Sequence, residues 1–206
     1  LYKNIIGKVY KYHMKILVIQ NRMGIGDTIL FLPFIKALSK KFNSSISLLV
    51  KESSKANQYL DQTNYIDKIL ILERDKKNKS NHNGLFGSIN LIKNIKKNNF
   101  NKIFIFNSSL RFYLIAKLSG VSEIYQYPLF QKNKQHIINA PKKFLKDSLN
   151  LEVNEDPEIQ IDTKLISQSI DKFKINKDEI NILLGIGGSG PTKRIPSSIF
   201  LSVIEK

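Results

Sequence analysis

A chain of 206 residues, 42% of them apolar, can bury one full core and part of a second, which excludes wholesale disorder. It has no cysteine, which excludes disulfides and thiolate chemistry, and His13, His82 and His136 lie too far apart in sequence to pair as metal ligands. The net charge of +16 points to anionic partners or to AT-rich coding, which raises Lys, Asn and Ile together; Arg occurs only at Arg22, Arg74, Arg111 and Arg194, too few for forked base contacts, so no nucleic-acid partner is expected.

Residues 1–13 are basic and aromatic and lack both the continuous apolar stretch and the cleavage site of a signal peptide. They read as an N-terminal extension, with Met14 as the native start. Lys15 to Gln20 (KILVIQ) is a short branched apolar run, the pattern of a buried parallel strand. Asn21 to Asp27 (NRMGIGD) is a glycine-bearing loop. Thr28 to Phe42 carries apolar residues at helical spacing, with Pro33 near its start. Ile46 to Val50 reads as a second strand, which completes a β-α-β unit.

The alternation continues with a short helix at Ser53 to Leu60 and a strand at Lys68 to Leu72. Arg74 to Gly87 is a polar loop, either a solvated connection or a flap. Ser88 to Asn98 is a helix with a lysine-rich outer face, Lys102 to Phe106 a strand, and Ser109 to Ser119 a helix stopped by Gly120. A strand at Glu123 to Tyr127 and a helix at His136 to Leu149 follow. Asn154 to Pro157 (NEDP) reads as a boundary, Glu158 to Ile161 as extended, and Leu165 to Phe173 as an amphipathic helix. Asn181 to Ile186 (NILLGI) reads as the first strand of a new sheet, Gly187 to Pro196 as a loop, and Ser197 to Lys206 as a helix.

This alternation predicts an α/β protein with a parallel sheet covered on both faces. The predicted organisation is an extension (1–13), a Rossmann-like domain (14–155), a linker region (156–178) and the incomplete start of a second Rossmann-like domain (179–206). No apolar run approaches the ~18 residues needed to cross a bilayer.

Two loops could carry chemistry. The first, Gly24-Ile25-Gly26-Asp27-Thr28, follows the first strand, where open parallel sheets bind ligands. A dinucleotide fingerprint would need a third glycine or alanine where Ile29 stands, so an NAD site is not expected. Asp27 is either a helix cap or a general base for a bound hydroxyl. The second runs from Gly185 to Pro196. It is not a P-loop, because Pro191 and Thr192 separate Gly190 from Lys193. It offers bare backbone amides at Gly187 and Gly188, the hydroxyls of Ser189 and Thr192, and the cations Lys193 and Arg194, a composition suited to a diphosphate. A plain interdomain loop is the alternative. The sequence has no Asp-x-Asp motif, so a nucleotide-sugar donor would be neutralised by cationic side chains and helix dipoles, with no metal site expected.

Taken together, MKILVIQNRMGIGDTILFLPFIKALSKKF (from Met14) and GIGGSGPTKRIPSSIF (Gly185 to Phe200) resemble the motifs of glycosyltransferase family 9, the ADP-heptose:lipopolysaccharide heptosyltransferases. Arg111 to Tyr127 and His136 also stand where that family has similar features. The chain departs from the family at Ile195, where an aromatic is common, and at Gly185-Ile186, where His-Pro is common. The resemblance implies a GT-B architecture and an inverting, metal-independent transfer without a cofactor. The donor would be a nucleotide sugar, ADP-heptose or a relative, and the acceptor a lipopolysaccharide core. It also implies Asp27 as the base in an acceptor loop with Gly24, Gly26 and Thr28. Lys193 would neutralise the diphosphate, helped by Thr192, Gly188 and Ser189. Such a protein would be cytoplasmic, with peripheral contact at the inner membrane face, and this chain alone would be inactive. Two alternatives remain: a related transferase of capsule or O-antigen synthesis, and a non-catalytic basic module that binds an anionic polymer or a membrane.

Overall fold

A computed structural model describes residues 14–22, 24–74, 81–129, 136–176, 178–185 and 194–205. The chain divides into two compact units, Leu1–Gln160 and Ile161–Lys206.

The first unit is built on five strands: β1 (Ile16–Ile19), β2 (Ile46–Lys51), β3 (Ile66–Leu72), β4 (Lys102–Ile105) and β5 (Glu123–Gln126). All pair in parallel, in the order β3-β2-β1-β4-β5. The central strand is apolar throughout because each face of the sheet is covered. Ile16 and Val18 enter one core with Phe104 and the helices α2 (Leu32–Phe42) and α5 (Asn139–Leu149). Leu17 and Ile19 enter the other, with Ile103, Ile105 and the helices α3 (Gly84–Asn98) and α4 (Leu110–Leu118). The parallel α/β sheet expected from the sequence is thus the observed one.

The turn after β1 differs from expectation. In place of one helix over Thr28 to Phe42 there are two, α1 (Ile25–Ile29) and α2, separated at Leu30 and Phe31. Pro33 explains the break: its ring has no N–H to donate and would collide with the carbonyl of Ile29 in a continuous helix. Leu30 and Phe31 instead donate to Gly26 and Thr28 at 3.0 and 3.1 Å. Ser53 to Leu60 is likewise not one helix but two short 3-10 turns, Glu52–Ser54 and Ala56–Gln58, joined at Lys55 with φ 53°. The loop predicted over Arg74 to Gly87 gives way to α3 at Gly84. Helices α2, α3 and α5 stop at Asn43, Asn99 and Asn150, each left-handed. Asparagine tolerates that conformation better than most residues. Gly120 follows the end of α4 with φ 77°, as its role as a stop requires.

Aromatic rings fill the space under the carboxyl ends of β4 and β5. Phe106 packs edge-on against Phe31, Tyr127 and Phe144, with centroids 5.4, 5.9 and 5.5 Å away. The segment after α5 returns along α2, where Glu155 pairs with Lys40 at 2.6 Å and Glu158 with Lys36 at 3.2 Å.

The second unit has the helices α6 (Thr163–Phe173) and α7 (Ser197–Ile204). Asp162 caps α6 by accepting from the Lys164 N–H at 2.8 Å. Neither helix buries a residue. The strand expected at Asn181 to Ile186 is not formed over its described part, 181–185. A strand is stable only when its backbone groups pair with a neighbour, and the second unit offers none among the described residues.

Candidate functional site

The sheet order places β1 beside both β2 and β4, whose connections leave on opposite faces. The usual ligand position in such sheets is the crevice outside the carboxyl ends of the strands at the switch point, here β1 and β4. The loop from Gly24 to Thr28 leaves β1 there.

Gly24 precedes α1 with φ 107° and ψ 159°, a conformation that only glycine adopts without strain. Thr28 is fully buried, and its hydroxyl donates to the Gly24 carbonyl at 3.2 Å, which closes the turn. Its role is to shape the loop from beneath. Tyr59 packs alongside; burial raises its phenol pKa against the opposing effect of the Thr28 hydroxyl. Gly26 differs from Gly24. Its φ is ordinary, and a side chain there would meet nothing within 4 Å. The loop is open to solvent on that side.

Asp27 lies inside the first turn of α1, and the capping position belongs to Gly24. The helix-cap alternative for Asp27 is thereby corrected. Its carboxylate is half-buried and lies 3.8 Å from where a Cβ on Gly24 would stand. The group faces the turn and is reachable from outside, the requirement for a base that takes a proton from a bound hydroxyl.

Behind the loop runs a seam of amides that sequence reasoning missed. Gln20, fully buried at the end of β1, donates to the Asp27 carbonyl at 3.5 Å. Asn107, just past β4, donates to Asn21 at 3.3 Å across the switch point. Gln126, ending β5, donates to the carbonyls of Asn107 and Ser109 at 3.0 and 2.9 Å. The buried amide oxygens of Gln20 and Gln126 and the hydroxyl of Tyr127 have no hydrogen-bond partner among the described residues. An unpartnered buried acceptor costs about 1–3 kcal/mol, so this seam is less completely bonded than the rest of the core. Burial raises the Tyr127 pKa, against a small opposing effect from Arg22. The signal available in the sequence was a carboxamide at, or within two residues of, the carboxyl end of β1, β4 and β5.

A second corner, after β3, is closed. His82 is buried; its Nδ1 accepts from the Glu73 N–H at 3.0 Å, and its Nε2 lies 3.4 Å from the Asn94 amide. Arg111 donates to the His82 carbonyl at 2.7 Å and to the Ser88 hydroxyl at 3.0 Å.

Of the donor-loop residues, Gly187, Gly188, Ser189, Thr192 and Lys193 lie outside the described residues. Arg194 is exposed ahead of α7. Among the described residues no cluster of His, Asp or Glu could hold a metal ion.

No family model and no curated protein matches the sequence. Solved structures do match the fold. A glycosyl transferase of family 9 from Veillonella parvula DSM 2008 superposes with a TM-score of 0.70 over 92% of this chain and 58% of its own, at 21% identity. The ADP-heptose lipopolysaccharide heptosyltransferase II of E. coli gives 0.62 over 93% and 62%, at 15% identity. The E. coli heptosyltransferase WaaC, solved with ADP-2-deoxy-2-fluoro heptose, gives 0.58 over 93% and 65%, at 12% identity. The structural neighbours are thus the transferases that the sequence motifs resemble, and the fold is theirs. The chain spans about three fifths of the length of these relatives.

Proposed function

We propose that this chain is the acceptor-side part of a glycosyltransferase that moves a heptose or related sugar from a nucleotide-sugar donor to a lipopolysaccharide core acceptor. The observation that carries the reading is the half-buried carboxylate of Asp27, held on a glycine-shaped turn at the switch point of a sheet shared with solved glycosyltransferases.

In this reading the acceptor lies in the crevice over Gly26, and its reacting hydroxyl gives its proton to Asp27. The acceptor oxygen bonds to the anomeric carbon while the bond from that carbon to the diphosphate breaks, which inverts the anomeric centre. The leaving nucleoside diphosphate is neutralised by Lys193 and Arg194, with Thr192, Ser189 and the amides of Gly187 and Gly188 on its oxygens. No metal ion or cofactor enters the scheme.

The test is Asp27→Asn in the full-length protein, assayed against ADP- and UDP-sugars. Loss of a general base lowers turnover by roughly 10²–10⁴-fold while leaving donor affinity unchanged. Normal turnover by the variant sinks the assignment of Asp27. Turnover with a UDP-sugar alone moves the reading to another surface-glycan transferase. Absence of any sugar-nucleotide preference, with salt-sensitive binding to polyanions, makes the chain a basic binding module.

A further inference from the structure

On the face of the sheet covered by α3 and α4, large apolar side chains stand in solvent. Leu85 and Phe86 at the start of α3 are each 84% exposed, and Ile89 is exposed one turn on. On α4, Leu110, Leu114 and Leu118 form an i, i+4, i+8 stripe, all exposed, Leu118 at 65%. The two sets adjoin. Arg111 of α4 bonds Ser88 of α3, and the Ser119 hydroxyl at the end of α4 bonds the Ile92 carbonyl at 3.4 Å. Leu85 and Ile89 precede Ser88 and Ile92 by three residues, and Leu114 follows Arg111 by three. Helical spacing therefore sets them along the α3/α4 valley. None is needed for the core, which these helices fill with Leu91, Ile95, Phe112, Ile115 and Ala116.

The same surface is cationic. Lys93, Lys96 and Lys97 of α3 and Lys117 of α4 are exposed. No Asp or Glu occurs anywhere between Asp75 and Glu123. Coding bias can raise lysine throughout a chain, but it does not empty one surface of acids while acids occur on the opposite face at Asp147, Glu155 and Glu158.

We propose that the α3/α4 face is a docking surface for an anionic lipid bilayer, with Leu85, Phe86 and the Leu110/Leu114/Leu118 stripe entering the interface and the four lysines meeting acidic headgroups. Two features select a bilayer over other occupants. A second copy would bring one cationic face against another. Apolar side chains that stand out from two adjoining helices and are rimmed by flexible lysines are what a shallow interfacial insertion uses. None of the helices described is long and apolar enough to cross a membrane, so the association is peripheral. The inference does not depend on the reaction proposed above.

The experiment is co-sedimentation of the purified chain with phosphatidylcholine vesicles, with and without phosphatidylglycerol. The wild type is expected to sediment only with the anionic vesicles. L85S/F86S is expected to weaken binding by at least about tenfold through lost apolar burial. K93Q/K96Q/K97Q is expected to weaken it by tenfold or more, since each headgroup contact is worth about fivefold. The triple variant K41Q/K142Q/K143Q removes the same charge from α2 and α5 on the opposite face and is expected to bind as the wild type does. All substituted residues are exposed, and thermal unfolding verifies that each variant is folded. Absence of binding to anionic vesicles overturns the proposal. Equal losses from the two lysine triples reduce it to net charge and overturn it as well. Unchanged binding by L85S/F86S removes the apolar half, and with it the surface as stated.

Discussion

The turns after β1 and after β3 leave the same edge of the same sheet, yet they are built in opposite ways. The corner at His82 is saturated: ring nitrogens, carbonyl and neighbouring hydroxyl all have partners, and Gly87 packs against it with no space left. The turn at Asp27 is held by one side-chain bond from Thr28 and one long bond from Gln20, above acceptors left unpartnered. A corner without spare hydrogen-bonding capacity contributes rigidity. A turn held by fewer bonds is free to adjust.

The contrast breaks most readily at Gly87. A Cβ there would stand 2.2 Å from the His82 carbonyl carbon, and the obstacle is backbone, which cannot rotate away. Gly87→Ala is expected to cost about 3 kcal/mol of unfolding free energy, measured by urea denaturation, because α3 must separate from the corner. A loss within experimental scatter would mean that the corner is far looser than its bonding implies.

A smaller effect separates the two glycines of the other turn. Gly24→Ala forces an L-residue to φ 107° and is expected to cost about 1–3 kcal/mol. Gly26→Ala has ordinary φ and open space, so stability should change by less than about 0.5 kcal/mol. If Gly26 borders the acceptor crevice, the same substitution should raise KM for the acceptor, which steady-state kinetics on the full-length protein would read. Equal behaviour of the two variants would erase the distinction between a glycine that shapes the backbone and one that leaves space.

Much of this frame was legible in the sequence, and the exceptions share a cause. Strands β1 and β4 fall within the predicted runs because a strand buried on both faces must be nearly continuously apolar, as ILVI is; the edge strand β5, EIYQ, was legible from alternation with the helices instead. The lysine-rich outer face of α3 followed from helical periodicity. The break between α1 and α2 depended on one collision, Pro33 against the Ile29 carbonyl, which an apolar pattern cannot register. The His82 corner joins residues up to 29 apart in sequence through bonds to backbone, and nothing in the spacing announces it. The apolar run at 181–186 has the composition of a strand, but composition does not supply the neighbour a strand needs. At the site, Gly24, Asp27 and Thr28 were visible as a motif, whereas Gln20, Asn107 and Gln126 were not. Their role arises only when β1, β4 and β5 are laid side by side.

The finest probe of the comparison is pH. His82 accepts the Glu73 N–H through Nδ1, so the neutral ring carries its proton on Nε2, beside the Asn94 amide. Burial lowers the pKa of His82 from its ordinary 6.5; Glu73 opposes the shift, and Arg111 adds to it. In the unfolded chain the ring regains the ordinary value. Below about pH 6.5 the unfolded state therefore binds a proton that the folded state resists, and stability must fall as pH falls. The contribution is complete above that pH and is lost progressively toward the depressed folded value. In His82→Asn the carboxamide oxygen can occupy the Nδ1 position and accept the same N–H, with nothing to titrate. Urea midpoints taken from pH 8 down to pH 5 should fall more steeply for the wild type than for this variant. Parallel curves would mean that the ring already shares its proton with solvent, and the corner after β3 would then be as open as the turn that carries Asp27.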